Sequence, residues 1–263
     1  MRRAGLSKSR MVNARAVISG AYTWGRRHRK VSINPVLGFE LPTSTHIPKE
    51  TVPPELDELL SILATANERD HDLAPVLTLA ATIGMRRGEL AGLRHDRLRL
   101  DKAELLVERA VNDADGKVVF KPTKTHQARL VSLDPATVAF LRQHLAAMAT
   151  RAVTFGCTVA DDGFVFSLEP DCAKPIRPEF MTRRMRVLRK TMGLGPGDFD
   201  ATIQAMRKWT TTELMDAGFN PSAGSGRQGH TVQVMLEHYS SRRRSADQAA
   251  ADHLGSRVHQ RDE

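Results

Sequence analysis

Tyrosine and cysteine are each present only twice in this 263-residue chain, and aromatic residues make up only 5% of it. Cys157 and Cys172 are too few for a disulfide framework, and neither has partners at metal-ligand spacing. A resident metal is therefore not expected, and a reducing, cytoplasmic setting is the natural reading. Long hydrophobic runs are also missing. The apolar run Leu73–Ile83 follows His71-Asp72 and falls well short of the ~20 apolar residues that a membrane span needs. Nothing reads as a signal peptide, so a membrane is not an expected partner.

Basic charge is what the chain has in excess. Lys and Arg number 39 against 30 acidic residues, a formal net charge of +9. The excess is uneven: residues 1–50 hold ten Lys/Arg against Glu40 and Glu50, and the rest is close to neutral. A basic arm of this kind favours polyanions, because each phosphate it neutralises releases condensed counterions. The composition therefore points to nucleic acid.

Periodicity predicts a mainly helical chain of α+β class. Val12, Val17, Ile18, Ala21, Tyr22 and Trp24 form a helical stripe over Ser9–Arg29, capped by Ser7 or Ser9 and closed before Asn34-Pro35. Thr43-Ser44-Thr45 and Pro48 read as a linker, giving a small helical domain over 1–45, a linker over 46–52 and a larger domain over 53–263. Helices are expected from Pro53-Pro54-Glu55-Leu56 to Ala66, over Asp72–Ile83, and from Arg86 to Arg94. Between Arg97 and Leu133 the period changes to that of short strands, with turns at Asp113–Gly116 and Lys124–Gln127. Further helices are expected over 135–150, 178–192, 201–217, 231–238 and 245–254, with Phe164–Phe166 as one more short strand.

Three segments carry chemistry. The first is Gly84-Met85-Arg86-Arg87-Gly88-Glu89-Leu90, the second Gln204-Ala205-Met206-Arg207-Lys208-Trp209, and the third runs from Gln228-Gly229-His230 to His238-Tyr239. Two arginines, a histidine and a tyrosine, in that order, suit an enzyme that cleaves phosphodiesters with a tyrosine nucleophile. Arginine stays charged at working pH and offers a planar fork of donors to two phosphate oxygens. Glu89 lies on the same helical face as Arg86 and can orient its guanidinium.

On these residues the sequence resembles the tyrosine recombinases, or phage integrases, most of all an actinobacterial phage-type branch. The resemblance covers essentially the whole chain. It implies a catalytic domain of helices around a small antiparallel sheet, preceded by a partial helical core-binding domain. It also implies a chain lacking the first half of that domain and any arm-binding domain before it. Arg86 and Arg207 would hold the non-bridging phosphate oxygens, His230 would contact one of them, and Tyr239 would attack phosphorus to give a 3′-phosphotyrosine. Lys124, in Lys124-Thr125-His126, would protonate the leaving 5′-oxygen, with Lys121 as the rival position. No metal or nucleotide cofactor is implied.

The family writes His-x-x-Arg-His and Leu-Gly-His, where this chain has Gln204, Lys208 and Gln228. Glutamine can donate a hydrogen bond but cannot take a proton near neutral pH, and losing a general base costs on the order of 10²–10⁴ in rate. His238 or water is the substitute acceptor, although a neighbour of Tyr239 on a helix points about 100° away. Arg15, Arg26, Arg183, Arg184 and Arg242 are candidate DNA contacts. The partners implied are double-stranded DNA at attachment or core sites, three further copies in a homotetramer, and a directionality factor, on the nucleoid. Two other readings fit the same residues: an inactive DNA-binding remnant of an integrase, or a monomeric type IB topoisomerase.

Overall fold

Ser7 opens the first helix. Its hydroxyl accepts the Arg10 amide at 3.3 Å, and α1 runs over Lys8–Arg27. The chain then doubles back through Asn34. Its Nδ2 donates to Ser19 O and Oγ, both at 3.1 Å, and to Thr23 Oγ1 at 3.2 Å, while its Oδ1 accepts the Val36 amide at 3.0 Å. One side chain thus serves as both tie and turn. In this computed structural model the described residues are 6–43, 51–114, 117–122, 128–195 and 198–239, with 251, 252, 254 and 256; for 113–114, 117–118, 121–122 and 237–239 only the backbone is described. The chain divides into two compact units, Met1–Glu50 and Thr51–Glu263.

The second unit starts with a capping box. The Glu55 amide donates to Glu58 Oε2 at 2.7 Å and begins α2, Leu56–Arg69. Helix α3, Ala74–Ile83, has Pro75 in its first turn and ends where Gly84 adopts φ +73°. Leu77, Leu79, Ala80 and Ile83 are all buried, so α3 is apolar except along Thr78 and Thr82 and forms the centre of the core. The expected helix from Arg86 is shorter than its pattern: α4 covers only Arg87–Ala91, with Arg86 extended at its N-cap.

The strands β1 (Leu98–Arg99), β2 (Glu104–Val107), β3 (Arg109–Ala114), β4 (Lys117–Pro122) and β5 (Arg129–Ser132) form two sheets rather than one. β1, β2 and β5 make an antiparallel sheet in which Leu105 faces Val131 and both are buried. β3 and β4 pair separately, and β3 lies under α4. The approach is close: a Cβ on Gly88 would sit 2.7 Å from Val111 O. Phe164–Phe166 is not a strand: Val165 and Phe166 lie in a bend. The Val165 amide donates to Leu93 O at 2.9 Å, and Phe164 makes a single bridge to Arg94.

Helices α5 (Pro135–Thr154), α6 (Pro178–Thr191) and α7 (Ile203–Asp216) follow the predicted pattern. Asp134 caps α5 through the Thr137 amide at 3.0 Å, and Thr202 caps α7 through the Ala205 amide at 3.0 Å. α7 packs along α3, where Thr210 Oγ1 donates to Ala81 O at 2.9 Å. Helix α8, Pro221–Gln228, was not legible in its Gly- and Ser-rich sequence. Asn220 caps it through the Ser222 amide at 2.8 Å, and Gly224 leaves room for Met235 of α9, Val232–Tyr239. The helix expected over 245–254 lies largely outside the described residues.

Candidate active site

The end of α3 sets the first arginine. Gly84, in the left-handed region, turns the chain so that Arg86 becomes the extended N-cap of α4. Glu89, three residues later, reaches back. Its Oε2 accepts the Arg86 amide at 2.9 Å and its Oε1 accepts Arg86 Nη1 at 2.9 Å. The pair expected from the sequence is therefore real, but it is a capping box as well as an ion pair.

Glu89 is only 1% exposed and holds a second arginine. Arg129, the first residue of β5, donates Nη2 to Glu89 Oε2 at 2.7 Å and Nη1 to Oε1 at 3.2 Å. Its Nε donates to Arg227 O at 2.9 Å. Burial would raise the Glu89 carboxyl, but the hydrogen bonds and charges of Arg129 and Arg86 outweigh it and hold the group below its ordinary 4.5. Arg129 also lies against Gly229, where a Cβ would stand 2.6 Å from its Nη1.

Arg207 comes from the middle of α7. Its Nη1 donates to Gly84 O at 2.5 Å and its Nη2 to Gln228 O at 2.7 Å. Arg86 approaches the same segment, Nη2 reaching Gly229 O at 2.7 Å and Nη1 reaching Gln228 O at 3.5 Å. Burial, with Arg86 as a like-charged neighbour, lowers Arg207 to about 9, and Glu89 pulls the other way. Arg207 is thus still cationic at neutral pH. Glu89 pairs with Arg86 and Arg129 while Arg207 is held by backbone carbonyls, so three guanidiniums stand around one carboxylate and two positive charges are uncompensated among the described residues.

His230 follows the αL residue Gly229 (φ +68°) that closes α8. Its Nε2 lies 2.8 Å from Gln228 Oε1, which also accepts Thr211 Oγ1 at 2.7 Å. The structure therefore gathers Arg86, Glu89, Arg207 and His230. Gln204 is exposed on the first turn of α7, one turn before Arg207. Tyr239 closes α9, one turn beyond Met235, which is buried against α8; its side chain is outside the described residues. Lys124 falls between β4 and β5 and is likewise outside them, as is Arg242.

The candidate DNA contacts divide. Arg184 is engaged within the fold, its Nε and Nη2 holding Asp70 at 2.6 and 2.7 Å and clamping α6 to the end of α2. Arg183 and Arg186 are exposed on α6. In the first unit Arg26 is exposed and Arg15 half-buried on α1. Arg129, Thr211 and Gln228 were not picked out from sequence. The one hint for Arg129 was a lone basic residue leading an apolar strand five positions after Lys124.

Among the described residues no helix is long and apolar enough to cross a membrane, and no group of His, Cys, Asp and Glu could hold a metal ion. No family model and no curated protein matches the chain. Solved structures do. The Tn1549 transposon integrase in complex with circular intermediate DNA is 20% identical, over 96% of this chain and 82% of that one, with a TM-score of 0.70. XerA recombinase is 17% identical over 98% and 78%, with a TM-score of 0.56. A lambda integrase dimer bound to a COC' core site is 17% identical over 88% and 72%, with a TM-score of 0.60. The chain has the mainly helical α+β fold of the tyrosine recombinases.

Proposed function

We propose that this chain is a site-specific DNA recombinase, an integrase that cleaves and rejoins DNA through a 3′-phosphotyrosine at Tyr239. The observation that carries the reading is the convergence of Arg86 and Arg207 on Gln228 O, in a site with two uncompensated positive charges. Such a site suits a phosphodiester whose oxygens gain charge as phosphorus becomes pentacoordinate. The Tyr239 phenol gives its proton to water or to His238 as its oxygen forms the bond to phosphorus, the 5′-oxygen leaves, and Lys124 supplies the proton that the leaving oxygen takes. The rejoining step reverses these roles, so the phosphodiester energy is conserved and no cofactor is required.

The related folds support the partner. The Tn1549 integrase was seen with circular intermediate DNA, and lambda integrase as a tetramer on a Holliday junction. This chain accordingly binds double-stranded core sites as a homotetramer, with Arg15, Arg26, Arg183 and Arg242 on backbone phosphates and a directionality factor as a further partner. Its place is the cytoplasm, on the nucleoid.

A nicked suicide substrate tests the chemistry. Wild-type protein should give a covalent protein–DNA species, and Tyr239→Phe should abolish it while leaving DNA affinity nearly unchanged. Gln204 is the observation that favours a second reading, an inactive DNA-binding remnant, because an exposed amide cannot accept the phenolic proton. Gln204→His should then raise the capture rate toward the 10²–10⁴ range of a restored general base. Binding without any adduct from wild type would establish the remnant. Supercoil relaxation by dilute monomer, without recombinant products, would instead mark a type IB topoisomerase.

A further inference from the structure

Gln228 is fully buried, with 0% of its surface exposed. A buried primary amide must satisfy both an acceptor oxygen and a donor nitrogen. Here Oε1 accepts Thr211 Oγ1 at 2.7 Å and faces His230 Nε2 at 2.8 Å, while Nε2 donates to Arg207 O at 3.4 Å. Thr211 Oγ1 also lies 3.0 Å from Arg207 O, but its one proton takes the shorter path to Oε1 at 2.7 Å, and flipping the amide would set Oε1 against the Arg207 carbonyl at 3.4 Å, so these contacts assign the orientation. An amide oxygen only accepts. With Oε1 facing it at 2.8 Å, His230 Nε2 carries the proton in that contact, and Nδ1, at the longer 3.3 Å from Thr231 O, makes the weaker one.

The same residue joins the arginines. Its backbone oxygen accepts Arg207 Nη2 at 2.7 Å and Arg86 Nη1 at 3.5 Å. Thr211 stands one helical turn after Arg207 on α7, so the Thr211–Gln228–His230 chain ties the imidazole to the helix that carries the guanidinium. Gly84 closes the pocket from the other side: a Cβ there would lie 2.7 Å from Gln228 Nε2. The amide is held on every side, as a part that orients another group has to be.

We infer that Gln228 is a positioning residue that fixes His230 as its Nε2–H tautomer and registers the imidazole against Arg207. Its bearing on catalysis rests on the recombinase reading above; its bearing on the tautomer does not. The experiment is ¹⁵N-resolved NMR of the imidazole nitrogens in full-length protein without DNA, with the His230 signals assigned by their loss in His230→Asn. Wild type should show Nε2 protonated. Gln228→Leu should give mixed tautomers, and Gln228→Glu, which keeps an acceptor oxygen, should restore Nε2–H. On the nicked substrate, Gln228→Leu should lower the rate of covalent capture about 10–100-fold, the usual cost of losing an orienting partner, with DNA affinity unchanged and partial rescue by Gln228→Glu. A purely structural role would not give that rescue.

An unchanged His230 tautomer in folded Gln228→Leu overturns the proposal. Should Gln228→Leu fail to fold, Thr211→Val removes only one donor to Oε1 and decides the same point, because the amide is then freer to rotate and the Nε2–H population should fall. If wild type gives no covalent adduct, the recombinase reading fails, and the tautomer measurement still decides the role of Gln228.

Discussion

Glu89→Gln is the sharpest test of how three guanidiniums come to sit together. The substitution keeps the shape of the side chain and removes its charge. In the wild type the carboxylate is 1% exposed and accepts four hydrogen bonds: from the Arg86 amide, from Arg86 Nη1, and from Arg129 Nη1 and Nη2. Removing one partner of a buried ion pair costs about 3–5 kcal/mol, because the other charge is left uncompensated. Arg86 is about one-third exposed and water softens its loss. Arg129, with 10% of its side chain exposed, bears most of the penalty. The amide keeps one acceptor and turns the other oxygen into a donor that faces a guanidinium. The expected loss is about 3 kcal/mol, at the lower end of that range.

Urea unfolding measures it, with the slope checked for constancy. The pH dependence adds a second constraint. Glu89 is held below 4.5 in the folded chain, so its contribution is complete above that value and disappears as pH falls through the lower folded value. The gap between wild type and Glu89→Gln should be constant from pH 7 to about 5 and narrow below 4.5. A gap under about 1 kcal/mol at pH 7 would refute the buried-pair argument, and a gap that does not narrow in acid would refute the assignment of the charge to Glu89.

Two further perturbations probe the surroundings. Gly84→Ala should destabilise by about 1–2 kcal/mol for the left-handed backbone alone, with more from its 2.7 Å approach to Gln228 Nε2, whereas Gly156→Ala at φ +70° has open space and should show only the backbone cost; equal losses in urea melts would mean that the amide moves aside freely. Burial lowers both His95 and His144, so stability should be full above about 6.5 and fall as the unfolded chain takes up protons below it, by up to ~1.4 kcal/mol per pH unit per histidine. His144→Phe, which keeps the stack between Phe140 and Phe166, should flatten that slope, and an identical slope would rule out His144 as its source.

The parts of the site that were legible in sequence are those whose chemistry and local backbone coincide. Arg86 stands two residues after Gly84 and His230 directly after Gly229, both glycines at positive φ, so the turn and the charge announce each other. Arg207 lies on a helix with clear periodicity and a Thr202 cap. Arg129 was hidden because a basic residue at a strand end normally reads as solvated, and only the pairing of β2 with β5 brings it to Glu89. Gln228 and Thr211 were hidden for the same reason: their partners belong to another helix. Helix α8 failed the propensity reading outright, since Gly224 and Gly226 disfavour a helix. Tertiary packing overrides that cost where Met235 seats on Gly224.

Positive charge outweighs negative charge at this site. Burial and the neighbouring Arg86 draw Arg207 well below the ordinary arginine range, to about 9, which disfavours its charged form although it is still protonated at neutral pH. Backbone carbonyls of Gly84, Gln228 and Gly229 satisfy the hydrogen bonds of both arginines but supply no negative charge. Glu89 supplies one, and Arg129 claims a share of it. Arg207 is largely buried while Arg86 is about one-third exposed, and backbone carbonyls hold both. Such an imbalance weighs more in a low-dielectric setting than among exposed arginines, and Glu89, Arg129 and Gln228 hold it in place.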